Sequence, residues 1–383
     1  MKFFHISDLH IGLKLINRDL REDQEYILKC IVDMAAEEKP DAVVIAGDIY
    51  DRAVPSAEAC EVFDHFISML SETLPEGQIM MISGNHDSAP RVNVFRSVLQ
   101  RRGIHMIGNP PQEEGEHIEK VTLSDRYGCV NFYLLPFVKP SMIKKIVGQD
   151  ENGNNLSYDD AVHRLIAGEN IDTEERNVLV SHQFYIPSGK SADDIERMDS
   201  EIKTVGNVDE VKGDILRCFD YAALGHIHKP MTVGDDNYRY CGTPLACSVS
   251  EAGQKKGVVC VEMGKKGETD IRVLPLRPLR EVRIIEGDLK DVIEQGCNDY
   301  VTVVLTDKTD LDIADMQDRL RYAFPNLLEI RRKTIRSADY RVSVGLEDEL
   351  DAYGLCTSFL KDLDDKEKEL LKEVVNQVGE VVA

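Results

Sequence analysis

The sequence predicts an α/β protein whose first domain is a layered sheet flanked by helices, and three observations carry that prediction. Short β-branched runs at 3–6, 42–46 and 79–82 alternate with longer segments of helical period. Each run ends in a polar cluster, Ser7-Asp8-Leu9-His10, Gly47-Asp48 and Ser83-Gly84-Asn85-His86-Asp87, at the carboxyl edge where such sheets bind ligands. The chain has 383 residues, 42% of them hydrophobic. That suffices for a sizeable core and, at ~2–3 average domains, for more than one folding unit.

Further along, two or three strands are expected between about 104 and 135, then helices near 141–147 and 157–167. A buried strand at 177–181 leads into His182, and a polar excursion follows over 184–213. Another short strand at 221–224 ends in Gly225-His226-Ile227-His228, and short strands with Gly, Pro and Asp turns close a first domain at 1–275. Pro275, Arg277-Pro278 and Arg280 punctuate a linker. A small α/β module is then expected over 280–340, with strands at 282–285, 300–305 and 327–330 and helices near 288–295 and 312–323. The remainder, 345–383, reads as a helical, acidic tail. Leu350, Tyr353, Cys356, Phe359, Leu360 and Leu363 form one apolar stripe, and Leu370, Leu371, Val374, Val375 and Val378 form a second.

Lys and Arg total 46 against 69 Asp and Glu, a formal net charge of −23, which argues against coating nucleic acid or anionic lipid by bulk charge. A phosphate-bearing substrate must therefore be met locally. Basic groups such as Arg101-Arg102, Lys144-Lys145, Lys255-Lys256, Lys265-Lys266 and Arg331-Arg332-Lys333 are candidates, although a solvated surface pair is the ordinary role of each. The opening MKFFHISDLH breaks into Asp and His too early for a signal-peptide core, and no apolar run approaches a spanning length, so a soluble cytoplasmic protein without membrane attachment is expected. The nine cysteines include no CxxC pair and read as reduced structural thiols, neither disulfides nor zinc ligands.

The chemistry gathers at the strand ends. Asp8 and His10 lie two apart, and an extended backbone there would point both side chains to one side. Asp48 offers two oxygens beside a glycine, enough to bridge two cations. Asn85 and His86 end the third strand, His182 a later one, and His226 and His228 repeat the two-apart spacing. One buried histidine is usually a satisfied core residue, but this many strand-end ligand types on one sheet edge need a common cause. His5, His65, His105, His117 and His163 lie outside these clusters and receive no role.

In order, Asp8-x-His10, Gly47-Asp48, Gly84-Asn85-His86-Asp87, His182 and Gly225-His226-x-His228 resemble the motifs of the calcineurin-like metallophosphoesterases. The fuller wording, His5-Ile-Ser-Asp-Leu-His-Ile-Gly12, Ala46-Gly-Asp-Ile-Tyr-Asp51, Ser83-Gly-Asn-His-Asp87, Ser181-His-Gln183 and Leu224-Gly-His-Ile-His228, is similar to the SbcD family of bacterial nuclease subunits. The resemblance implies a metallophosphoesterase β-sandwich, with 280–340 as a capping domain and 345–383 docking on the SbcC ATPase. It also implies one metal held by Asp8, His10, Asp48 and His228, and a second held by Asp48, Asn85, His182 and His226. The donor set suits two Mn²⁺, with Fe²⁺ or Zn²⁺ as alternatives. His86 is expected to be catalytic, as phosphate donor or general acid. Asp51 and Asp87 are expected to orient ligands or cap helices. The implied activity is DNA exonuclease and hairpin endonuclease cleavage within a heterotetramer containing a homodimer of this chain. A small-molecule phosphodiesterase on the same metal core is the competing enzyme reading, and a metal-free scaffold the competing non-enzyme one.

Overall fold

The computed structural model describes residues 1–191, 194–195, 197–201, 209–307, 313–333, 367–368 and 370–371. Met1–Thr334 forms one compact unit and Ile335–Ala383 another. The first tail stripe, 350–363, lies outside the described residues, as do Val374, Val375 and Val378. Leu370 and Leu371 are helical, with Leu370 63% exposed.

Strands β1 (Lys2–Ile6), β2 (Ala42–Ala46), β3 (Gln78–Ile82) and β4 (Ile104–Ile107) pair in parallel. Helices α1 (Arg21–Glu38) and α2 (Ala57–Thr73) connect the first three. Next come β5 (Glu119–Asp125), β6 (Gly128–Leu135), α3 (Pro140–Val147), α4 (Tyr158–Ala167), β7 (Arg176–His182), β8 (Tyr221–Gly225), β9 (Met231–Val233), β10 (Asp235–Tyr240), β11 (Gly257–Met263) and β12 (Thr269–Pro275). Two six-stranded sheets result, ordered β12-β11-β1-β2-β3-β4 and β9-β10-β8-β7-β6-β5.

The two sheets share a core. On alternate residues Phe3, Val44, Met80, Val178, Val180 and Tyr221 face into it, while Phe4, Val43, Ile45 and Ile79 face the helices on the other side of the first sheet. Because each central strand is covered on both faces, its residues are apolar without alternation, as in Ala42-Val-Val-Ile-Ala46. Phe3 meets Phe132 and Tyr221 edge to face at 5.3 and 5.5 Å, geometry worth ~0.5–1.5 kcal/mol per pair beyond burial. Helix α1 buries Ile27, Leu28, Ile31, Val32 and Ala35, the three-to-four spacing of one face, and ends at Lys39 in the left-handed region. Helix α2 starts where Ser56 Oγ accepts the Ala59 N–H at 3.2 Å. Helices α3 and α4 cover the outer face of the second sheet.

The module contains β13 (Val282–Gly287), α5 (Leu289–Ile293), β14 (Tyr300–Leu305), α6 (Ile313–Ala323) and β15 (Leu327–Arg332), with the three strands parallel and in chain order. It has its own core around Val301, Val303, Leu320 and Phe324. Val282 and Tyr300 instead join the core beneath α1. There the Tyr300 hydroxyl donates to Asp23 at 2.7 Å and Arg280 donates to the same carboxylate at 2.7 Å. Among the described residues, no helix is long and apolar enough to cross a membrane.

Candidate metal centre and active site

Parallel pairing brings the carboxyl ends of β1, β2 and β3 to one edge of the first sheet and those of β7 and β8 to one edge of the second. The first set delivers Asp8, His10, Asp48, Asn85 and His86, and the second delivers His182, His226 and His228. The extended backbone expected at Asp8 and His10 is not what occurs: φ is +53° and +43° there, and +47° at Asp48. The cause is pairing between loops, since the Asp8 N–H donates to the Gly47 carbonyl and the His10 N–H to the Asp48 carbonyl, both at 3.0 Å. His226 is also left-handed, at φ +105°, while its N–H donates to Asp8 Oδ1 at 3.0 Å. Such conformations cost ~1–3 kcal/mol each and persist where surrounding contacts over-determine them.

Two glycines make the close approach possible. A Cβ on Gly84 would overlap the Asp48 carboxylate and backbone nitrogen, and one on Gly47, at φ +88°, would overlap the His182 ring.

All the strand-end ligand candidates converge. His10 Nε2 and His228 Nε2 are 3.1 Å apart. His182 Nδ1 donates to the Ala46 carbonyl at 2.8 Å, which turns its Nε2 toward Asp48 Oδ2 at 3.3 Å and Asn85 Oδ1 at 3.0 Å. Asn85 Oδ1 also lies 2.9 Å from His226 Nδ1. Asp48 Oδ2 is 3.7 Å from His10 Nε2, and Asp48 Oδ1 accepts the His86 N–H at 2.8 Å. Groupings able to hold a cation include Asp8, Asp48 and His182, and separately His10, Asp48 and His86. The His86 side chain stands apart from the strand-end donors in its fixing: its Nδ1 lies 3.0 Å from the Asp51 carbonyl, and its ring meets that of His10 edge-on at 4.8 Å.

The electrostatics fit a cation site. Burial raises the Asp8 carboxyl to about 6 against the pull of His182 and His228, and burial lowers His10 to about 3. Burial also opposes charge on Asp48, but the neighbouring His182 and His10 hold it well below the ordinary carboxylate range. His182 in turn is pushed up to about 9, where Asp48 outweighs burial. Burial keeps the His226 imidazole well below its ordinary value. Two carboxylates and four imidazoles, all buried, with the amide oxygen of the half-buried Asn85 form an oxygen and nitrogen donor set of the kind that divalent transition ions take.

Behind His228 stands a network that sequence reasoning missed. His228 Nδ1 lies 2.8 Å from Ser200 Oγ, which donates to Glu251 Oε1 at 2.9 Å, and the His228 N–H donates to Glu201 at 3.0 Å. Lys256 donates to Glu251 Oε2 at 2.6 Å. Burial opposes charge on Glu251, but His228 and Lys256 hold its carboxyl well below the ordinary range, and His228 is raised by the same contact. Lys256, a candidate phosphate contact from sequence, is buried in this network instead. Lys145 and Lys266 are ion-paired with Glu113 and Asp220. Arg331, although ion-paired with Glu329 of the same strand, does reach the site: with His10, Asp51, Ser200 and His228 it lines a cleft of about 390 Å³. Asp87, expected to orient ligands or cap a helix, instead ties two loops together, accepting the N–H groups of Ile49, Tyr50 and Gly84 at 2.9–3.0 Å. His5, given no role, bridges the sheets, 3.0 Å from the Tyr221 hydroxyl and 3.2 Å from the Leu224 carbonyl.

The family model for calcineurin-like phosphoesterases matches residues 1–230. The chain belongs to the calcineurin-like phosphoesterase family. A second model, SbcD_C, described as the type 5 capsule protein repressor C-terminal domain, matches residues 275–362. Together the matches make this a metal-dependent phosphoesterase, a hydrolase of SbcD type. Among solved structures, the chain is similar to TT1561 of Thermus thermophilus, at 11% identity over 71% of this chain and 98% of that one, with a TM-score of 0.39. It is similar to GAP50, the anchor in the inner membrane complex of Plasmodium, at 12% identity over 86% and 96%, with a TM-score of 0.40. A dimetal phosphatase from Danio rerio matches at 14% identity over 73% and 98%, with a TM-score of 0.38.

Proposed function

We propose that the chain is the Mn²⁺-dependent nuclease subunit of an SbcCD-type complex, acting in the cytoplasm on DNA ends and hairpins during recombination and repair. It hydrolyses phosphodiester bonds as a double-strand exonuclease and as a single-strand or hairpin endonuclease, with the SbcC ATPase as partner. The observation that supports a two-cation reading is the placement of Asp48 Oδ2, 3.7 Å from His10 Nε2 and 3.3 Å from His182 Nε2, between two groups of donors. In this reading Asp8, His10, Asp48 and His228 hold one ion, and Asp48, Asn85, His182 and His226 hold the other. When bound, the ions supply Lewis acidity toward a phosphoryl oxygen and offset the charge that builds during in-line displacement.

The chain's own groups do the rest. With Nδ1 donating to the Asp51 carbonyl, the imidazolium form of His86 presents its second N–H, on Nε2, to a phosphate oxygen or to the departing sugar oxygen. Ser200 and Glu251 fix the His228 ring through Nδ1. In this reading Arg331, which lines the cleft, contacts a flanking phosphate. Residues 1–275 are the nuclease domain in this reading, 280–340 the cap that shapes the DNA groove, and 345–383 the segment that docks on SbcC, within a heterotetramer containing two copies of this chain.

Purified protein with Mn²⁺ is assayed on linear duplex DNA, hairpin DNA and a bis-aryl phosphate, with and without chelator. Chelator-sensitive cleavage of duplex and hairpin is expected. Turnover of the bis-aryl phosphate alone would point to a small-molecule phosphodiesterase and overturn the nuclease reading.

A further inference from the structure

Beyond the oxygen and nitrogen donors, one further side chain reaches the His10 and His228 pair. Cys247, in the loop ahead of the short helix Val249–Glu251, is buried at 7% exposure. Its Sγ, one nitrogen of His10 and one of His228 all lie within 4.8 Å of one another. Zinc bonds of about 2.0–2.1 Å to imidazole at a tetrahedral angle put two ring nitrogens about 3.3 Å apart; His10 Nε2 and His228 Nε2 are 3.1 Å apart, and the sulfur lies within 4.8 Å of one nitrogen, Nδ1 or Nε2, of each ring. Among the described residues the sulfur makes one long contact, 3.5 Å to the Leu245 carbonyl, which is weak enough to be exchanged for an ion. All three residues line the cleft of about 390 Å³, which leaves a fourth coordination position open.

We propose that His10, His228 and Cys247 form a second cation site that takes thiophilic divalent ions, zinc foremost, in a two-nitrogen, one-sulfur set. Binding releases the thiol proton to solvent and leaves a thiolate, a soft ligand that favours zinc over manganese. The site shares His10 and His228 with the manganese pair proposed above, so the two occupations are mutually exclusive and zinc acts as an inhibitor. It rests on that reading only for its inhibitory consequence. The site itself needs neither Asp48 nor Asn85.

The test titrates the full chain with Co²⁺ as a spectroscopic probe and then with Zn²⁺ and Mn²⁺ by calorimetry. A thiolate-to-cobalt charge-transfer band is expected in the near ultraviolet, displaced by zinc and absent in Cys247→Ser and Cys247→Ala, with circular dichroism confirming that both variants fold. Zinc affinity is expected to fall ~10–100-fold in these variants while manganese affinity moves less than ~3-fold. Asp48→Asn, which removes the carboxylate shared by the manganese pair, is expected to lose manganese and keep the band. No band in the native protein, a band that survives loss of Cys247, or equal zinc affinity in native protein and variants would each overturn the proposal. A band retained in Asp48→Asn alongside unchanged manganese binding would instead count against the manganese reading alone.

Discussion

His86 Nδ1 is tied to the Asp51 carbonyl at 3.0 Å, while the strand-end donors point their free atoms at one another. That difference predicts different losses. Replacing His86 with Ala is expected to leave the metal content unchanged and to lower DNA cleavage by ~10²–10⁴-fold, the usual range for a positioned acid or phosphate donor. Metal loss in the variant, read by elemental analysis, would make His86 a ligand. His5 gives a prediction in stability. Burial pushes its imidazole from 6.5 down to about 3, so the unfolded chain binds the proton first as pH falls. Its contribution is present above 6.5 and is lost progressively toward 3, so stability drops across that window. Urea midpoints measured from about pH 7 to about pH 4 should therefore fall less steeply in His5→Gln than in the native chain. Equal slopes would mean that His5 does not carry this acid sensitivity.

At the scale of elements, the strand ends were legible because each one couples an apolar run to a polar cluster, and the runs matched their strands to within two residues in 42–46, 79–82 and 300–305. The backbone at Asp8 and His10 was not legible, since its left-handed turn is set by hydrogen bonds to Gly47 and Asp48 some 40 residues away, from 8 to 47 and from 10 to 48. Ser200, Glu201 and Glu251 were missed for a related reason. Ser200 and Glu201 come from a loop and Glu251 from a single short helical turn, none with a periodicity to read, and only folding brings them to His228. The glycines of the motifs test the same idea. In Gly84→Ala the new methyl group must displace Asp48 or its loop, so hydrolysis is expected to fall by at least ~10²-fold in a protein that still folds. Steady-state rates on a bis-aryl phosphate check this, and a rate within a few-fold of native would show that the loop gives way freely.

For the whole molecule, the module's Tyr300 and Arg280 converge on the buried Asp23 of α1, while Arg331 joins His10 and His228 around one cleft. The proposed manganese ligands all precede residue 229, the proposed zinc ligand Cys247 also lies within Met1–Thr334, and that stretch is a compact unit by itself. Deleting residues after 345 is therefore expected to spare hydrolysis of a bis-aryl phosphate and to abolish co-purification with an SbcC subunit. Leu360→Asp with Leu371→Asp should weaken that association by several kcal/mol if both stripes are central to the interface. Undiminished association of the truncated chain would place the docking surface elsewhere.

The central claim is that Asp48 serves two cations at once, and metal stoichiometry tests it most directly. Elemental analysis of protein equilibrated with Mn²⁺ and freed of excess ion should find two ions per chain in the native protein and none in Asp48→Ala, with hydrolysis lost in parallel, because neither set of donors keeps its shared oxygen. Two ions per chain in Asp48→Ala would contradict the account.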